Sequence, residues 1–142
     1  MPQPAMPQSD DPDAWNAAMD AVIGQALPMR LEEVSKDRVV IGMEVTPRTH
    51  QPWGILHGGV SLVLAETAAS IGANRNVAPG LVAVGQEINA NHIRSKRDGW
   101  IRAVAVPLHV GRTSQVWAIE IRDEEQKLAC VSRCTLAVIP RT

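Results

Sequence analysis

Residues 53–74 read WGILHGGVSLVLAETAASIGAN, and between Pro52 and Asn74 the only formally charged side chain is Glu66. Apolar and small residues fill nearly every position after Gly59. The segment therefore predicts one long helix, apolar almost all round and hence buried. Gly58 and Gly59 mark its start. A membrane span is the rival reading of 53–73, and His57, Glu66 and four glycines within it argue against that.

Downstream, four runs have strand character: LVAVGQEINANHIRS, WIRAVAVPLHVG, TSQVWAIEIRD and KLACVSRCTLAVI. Turn signals at Arg97–Asp98–Gly99, Gly111–Arg112 and Asp123–Glu124–Glu125 separate them. Upstream, MRLEEVS and RVVIGMEVT alternate like two strands joined by a turn at Lys36–Asp37. Before them, Trp15, Met19, Val22 and Ile23 recur at helical spacing and predict a short helix over Asp13–Ala26. Residues 1–12 (MPQPAMPQSDDP) read as a loose tail, and residues 13–142 as a single domain. Strands that follow one another without intervening helices form an antiparallel sheet. The expected class is α+β, with that sheet wrapped around the one long helix.

Composition narrows the partners. With four Trp, no Phe and no Tyr, stacking platforms for bases are scarce, and a net charge of −1 provides no field for nucleic acid. Cys130 and Cys134 would share a strand face about 13 Å apart, too far for a disulfide. A reduced, cytoplasmic setting suits them, and no basic-then-apolar leader opens the chain. His50 and His57 are separated by a loop and His92 and His109 lie on different strands, so no metal site is implied. A GxSxG nucleophile elbow is absent.

A carboxylate inside an apolar helix is costly unless it is paired or faces a cavity. One reading of Glu66 is a buried ion pair with an Arg from the sheet. The other is chemical. Ser70 lies one turn on, on the same face. The glycine-opened helix start offers unpaired N–H groups where an oxyanion could be stabilised, and Gln51 and His57 lead into it. Gly58 and Glu66 are eight residues apart, about 12 Å along a helix. Two copies related by a two-fold axis can bring them to one carbonyl, each site taking Gly58 from one chain and Glu66 from the other.

The segment HQPWGILHGGVSLVLAETAASIGA, with INANHIRSKRDGWIRAVAVPLHVGRTSQVWAIEIRDEEQKLACVSR after it, resembles the hotdog acyl-CoA thioesterases. The nearest group is that of 1,4-dihydroxy-2-naphthoyl-CoA and glutamate-type 4-hydroxybenzoyl-CoA thioesterases. The resemblance spans roughly residues 28–139 and implies a homodimer with shared sites that pairs into a homotetramer, acting on an acyl-CoA without a cofactor. It implies Glu66 as nucleophile or general base and the Gly58 N–H as the group polarising the thioester carbonyl. Gln51 would position the thioester or the water, Ser70 would support Glu66, and His57 would fix the helix entry. His92 would meet the acyl group, and Arg94, Ser95, Arg112 and Thr113 would meet coenzyme A. Plainer readings stay open: His57 as a simple cap, His92 as a structural histidine, the cations from Arg94 to Arg112 as a solvated face. For the whole chain, the alternatives are a broad short- or medium-chain thioesterase and a non-catalytic acyl-CoA-binding module. A hydratase on the same fold fits less well, because it resembles a motif built on a helix His.

Overall fold

The computed structural model describes residues 6–142 of the chain, and the first five residues of the expected tail lie outside that range. Helix α1 (Pro12–Asp20) precedes strands β1 (Met29–Val34) and β2 (Val39–Glu44). Helix α2 (Gly58–Asn74) follows, then β3 (Leu81–His92), β4 (Trp100–Val110), β5 (Ser114–Asp123) and β6 (Leu128–Pro140). The six strands form one antiparallel sheet in the order β1-β2-β4-β5-β6-β3, which leaves β3 at an edge. With α2 packed on its inner face, this is the α+β hotdog architecture.

The match between α2 and the sheet is steric. Trp117 of β5, fully buried, lies so close to Gly72 that no Cβ could stand there. A glycine inside a helix costs about 1 kcal/mol relative to alanine, and here it admits an indole. Small residues do the same along that face, where Ala65, Ala68, Ala69 and Ala73 are all wholly buried. The far end of α2 is then tied down by polar groups. Gln115 donates to the Ala73 carbonyl at 3.1 Å and accepts from the Trp117 indole N–H at 3.0 Å. Asn74 brackets Ala83 of β3, donating to its carbonyl at 2.9 Å and accepting from its N–H at 2.9 Å.

Two sequence expectations change. The first helix ends at Asp20 rather than Ala26, with a separate 3₁₀ turn at Ile23–Gln25. A Cβ on Gly24 would stand 2.8 Å from the Met19 carbonyl, so the chain folds back over the helix end there. Val22 and Ile23, periodic in sequence, are consequently exposed. Secondly, α2 is apolar all round, yet the sheet covers only one of its faces. Leu62, Val63, Glu66, Thr67 and Ser70 are half-buried. Among the described residues no helix is long and apolar enough to cross a membrane.

Candidate active site

The loop entering α2 is pinned before the helix begins. His57 N donates to Thr49 O at 2.9 Å, Leu56 N to Lys96 O at 2.7 Å, and His50 Nε2 meets Arg97 O at 2.7 Å. Gly54 takes φ +77°, a conformation that favours glycine, and closes the tight turn between Gln51 and Ile55. Within that turn the Gln51 side-chain oxygen accepts the Trp53 N–H at 2.5 Å. His57 then caps the helix: its Nδ1 accepts from Gly59 N at 2.8 Å, so the neutral ring carries its proton on Nε2. The His57 carbonyl takes the N–H groups of Val60 and Ser61. Of the first-turn donors, only the Gly58 N–H has no partner among the described residues.

His92, the last residue of β3, lies beside Gly58. A Cβ on Gly58 would stand 2.7 Å from His92 Nε2, so a side chain there would displace the exposed ring. Gln51, Gly58, Ser61, His92, Arg94 and Ser95 line one cleft of about 330 Å³. Thus five of the residues singled out in the sequence meet at this end of α2.

Glu66 is elsewhere. Its carboxylate rests against Gly85 of β3, where the missing side chain makes space for it. A bulge follows at once, between Gly85 and Glu87. No ion pair engages Glu66 among the described residues, which removes the expected alternative of a buried pair with an Arg of the sheet. With Ser70 it lines a second cavity, of about 320 Å³. Strand register measures the separation. His92 stands opposite Cys130 on β6, and Gly85 opposite Leu136. Six residues of strand put about 20 Å between His92 and Gly85, and eight residues of helix put about 12 Å between Gly58 and Glu66. One chain therefore keeps the two groups apart, the Gly58 cleft at the His92 end of β3 and Glu66 beside Gly85, in the first half of the strand.

Against this geometry the comparisons are specific. Residues 54–130 match the Thioesterase superfamily. The chain is 50% identical over 114 residues to a 1,4-dihydroxy-2-naphthoyl-CoA hydrolase of Listeria monocytogenes, covering 80% of this chain and 93% of that protein. The chain belongs to the thioesterase superfamily. A 1,4-dihydroxy-2-naphthoyl-CoA hydrolase of Escherichia coli is 44% identical over 89% of this chain and 93% of its own length. The crystal structure of a thioesterase from Haemophilus influenzae superposes with a TM-score of 0.88 at 42% identity, covering 93% of this chain and 92% of that one.

In this thioesterase the cations divide into two groups. Lys96 is bonded to Glu124 at 2.6 Å, and its ammonium holds that carboxyl below the usual carboxylate range. Arg102 is bonded to Glu32 at 2.7 Å and stacks 5.9 Å above Trp100. Arg94, Arg97 and Arg112 have no acidic partner among the described residues. Arg112 and Thr113, exposed in the β4–β5 turn, line neither cavity. The neighbouring Ser114 pairs with Ala137, so they belong to the Gly85 end of the sheet, remote from Arg94 and Ser95.

Two features of the candidate site are not apparent from sequence. Gly85 is one, although a lone glycine within a strand pattern is a signal for a bulge or close approach. The other is α1, whose Trp15, Ala18 and Met19 share the Glu66 cavity. Cys134 lies nearby, and burial, reinforced by the Glu66 and Glu87 carboxylates, pushes its thiol up to about 12. Burial also raises Cys130. Both thiols are thus protonated and sheltered at neutral pH. Neither should react with Ellman's reagent in the folded enzyme at pH 8, and both should react after unfolding. A thiol labelled rapidly in the native state would contradict this.

Proposed function

We propose that this thioesterase hydrolyses an acyl-CoA, with an aromatic or hydroxyaromatic acyl group, to the free acid and coenzyme A. The observation that carries the reading is the pair of half-sites: an unpartnered Gly58 N–H beside the His92 end of β3 and an unpaired Glu66 carboxylate beside Gly85, toward the other end. Antiparallel pairing of two β3 edges about a two-fold axis would exchange these ends, so each site would join Gly58 of one chain to Glu66 of its partner. The half-covered face of α2 and the open edge of β3 support such a dimer. Dimers of dimers are a natural extension of the same reading.

The chemistry follows from charge. Attack on the thioester carbonyl generates an oxyanion, and the Gly58 N–H at a helix N-terminus stabilises it. Glu66 either attacks the carbonyl itself, releasing CoA thiolate and leaving a mixed anhydride for water to cleave, or removes a proton from the attacking water. Both routes consume one water and yield one acid and one thiol. Ser70 supports Glu66, Gln51 positions the thioester or water, and His57 holds the helix start. Arg94 and Ser95 from one chain and Arg112 and Thr113 from the other would meet the coenzyme. The hydroxyaromatic preference rests on the named activity of the relatives and on His92 beside Gly58.

A panel of benzoyl-, hydroxybenzoyl-, dihydroxynaphthoyl- and straight-chain acyl-CoAs, ranked by kcat/KM, tests the proposal. Hydroxylated aromatic substrates should lead. A flat ranking would mark a broad-range thioesterase, and binding without turnover a non-catalytic module. On the same panel, His92→Ala should reduce kcat/KM for hydroxylated aromatics about tenfold or more beyond its effect on unsubstituted ones, since a donor matched to a hydroxyl discriminates by that hydroxyl. Equal losses would return His92 to the scaffold.

A further inference from the structure

Helix α1 does not lie flush against α2. It is anchored to β1 instead, where Asn16 brackets Leu31, donating to its carbonyl at 3.0 Å and accepting from its N–H at 2.8 Å. Other contacts tie the segment before it to Trp15 and to the end of α2. The Trp15 indole donates to Ser9 O at 2.9 Å, and Arg75, at the end of α2, binds Asp10 and the Gln8 carbonyl, both at 2.8 Å. Asp11 caps α1 and Pro12 opens it, so the helix start is fixed as well. The gap that remains is the cavity of about 320 Å³ facing Glu66. Its walls are Trp15, Ala18, Met19 and Ile23 on one side and Val63 and Ile71 on the other.

This chamber has the character of an acyl site. Small-ligand pockets begin at about 300 Å³ and are mainly apolar, with a few polar groups at defined points. Here Glu66, Thr67, Ser70 and Asn74 are the polar lining, all from α2. Among the described residues no cation lines this chamber, and its one charged lining group is the Glu66 carboxylate, so the phosphates of coenzyme A find no partner there. Val22 and Ile23, exposed to 59% and 40%, leave an apolar rim at its mouth.

We propose that α1 forms the outer wall of the acyl chamber and sets the largest acyl group that the enzyme accepts. The proposal rests on the reading of Glu66 as the reacting carboxylate, since the chamber is defined by its distance from that group. Ala18 is the position to alter. It is half-buried, lines the cavity, and can become leucine with little loss of helix propensity.

The test compares kcat/KM for naphthoyl-CoA with that for acetyl-CoA in the full-length enzyme. In Ala18→Leu that ratio should fall about tenfold or more, the size expected when methylenes are added to an apolar pocket. In Ile23→Ala, which widens the rim, it should rise. Ratios are insensitive to the fraction of folded protein, so a destabilised variant still reports. Ratios unchanged in two active variants would overturn the role of α1 while leaving the proposed function standing. A parent enzyme that cleaves no acyl-CoA, or a fully active Glu66→Gln enzyme, would instead overturn the function and this inference with it.

Discussion

Glu66→Gln should lower kcat by on the order of 10²- to 10⁴-fold on every acyl-CoA that the parent enzyme cleaves, the range for loss of a positioned base. A larger loss would favour attack by Glu66 itself. The substitution is nearly isosteric, so the amide fits the same place over Gly85. It breaks no ion pair, since none engages Glu66 among the described residues. Thermal unfolding of the variant should therefore match that of the parent, and its affinity for substrate should change little. Stopped turnover with an intact fold is the signature of a chemical role. If the variant instead unfolds while its folded fraction turns over normally, Glu66 is a structural residue.

Two inactive variants should restore one another. Gly58→Pro removes the N–H proposed to hold the oxyanion, and proline is tolerated at this first helical position, where no intrahelical bond is lost. Glu66→Gln removes the carboxylate at the other end. Suppose each site draws these two groups from different chains. A mixed dimer then contains one site with both lesions and one with neither. Random pairing makes about half of the dimers mixed, so about a quarter of wild-type sites should return on co-expression. The same fraction holds in tetramers if each site stays within one dimer. Each variant alone must be folded, dimeric and almost inactive. Purified mixed dimers no more active than either parent would show that Gly58 and Glu66 do not act in one site.

The parts legible in sequence were those set by local chemistry. A lone carboxylate in an apolar stretch singles out Glu66, and glycines before a helical run locate the entry to α2. Strand order in the chain gave the antiparallel class without naming which strand takes the edge. What escaped depends on residues distant in sequence. His92 lies beside Gly58 because 34 residues of chain return to the same place, and nothing local encodes that. Gly85 matters only because Glu66 lies over it. The end of α1 was misjudged because Val22 and Ile23 continue its apolar period, while the fold-back at Gly24 breaks it. Arg112 and Thr113 joined Arg94 and Ser95 in one list, and only the register of β6 showed that they occupy opposite ends of the sheet.

The tryptophans give the molecule a built-in optical readout. With no tyrosine in the chain, indoles alone supply its near-ultraviolet absorption and emission. Trp53 is 80% exposed and Trp100 37%, so a dissolved quencher such as iodide reaches them. Trp15 and Trp117 are shielded, at 1% and 0%. Their emission should lie to the blue, and they occupy different places, Trp15 on α1 and Trp117 on β5 against α2. Trp117, held between Gly72 and Gln115, reports whether α2 is docked on the sheet. Trp15, in the wall beside Glu66, reports on the space between the helices. Phenylalanine at 53 and 100 would leave only these two emitters, so fluorescence could follow the two packing events separately without an added label.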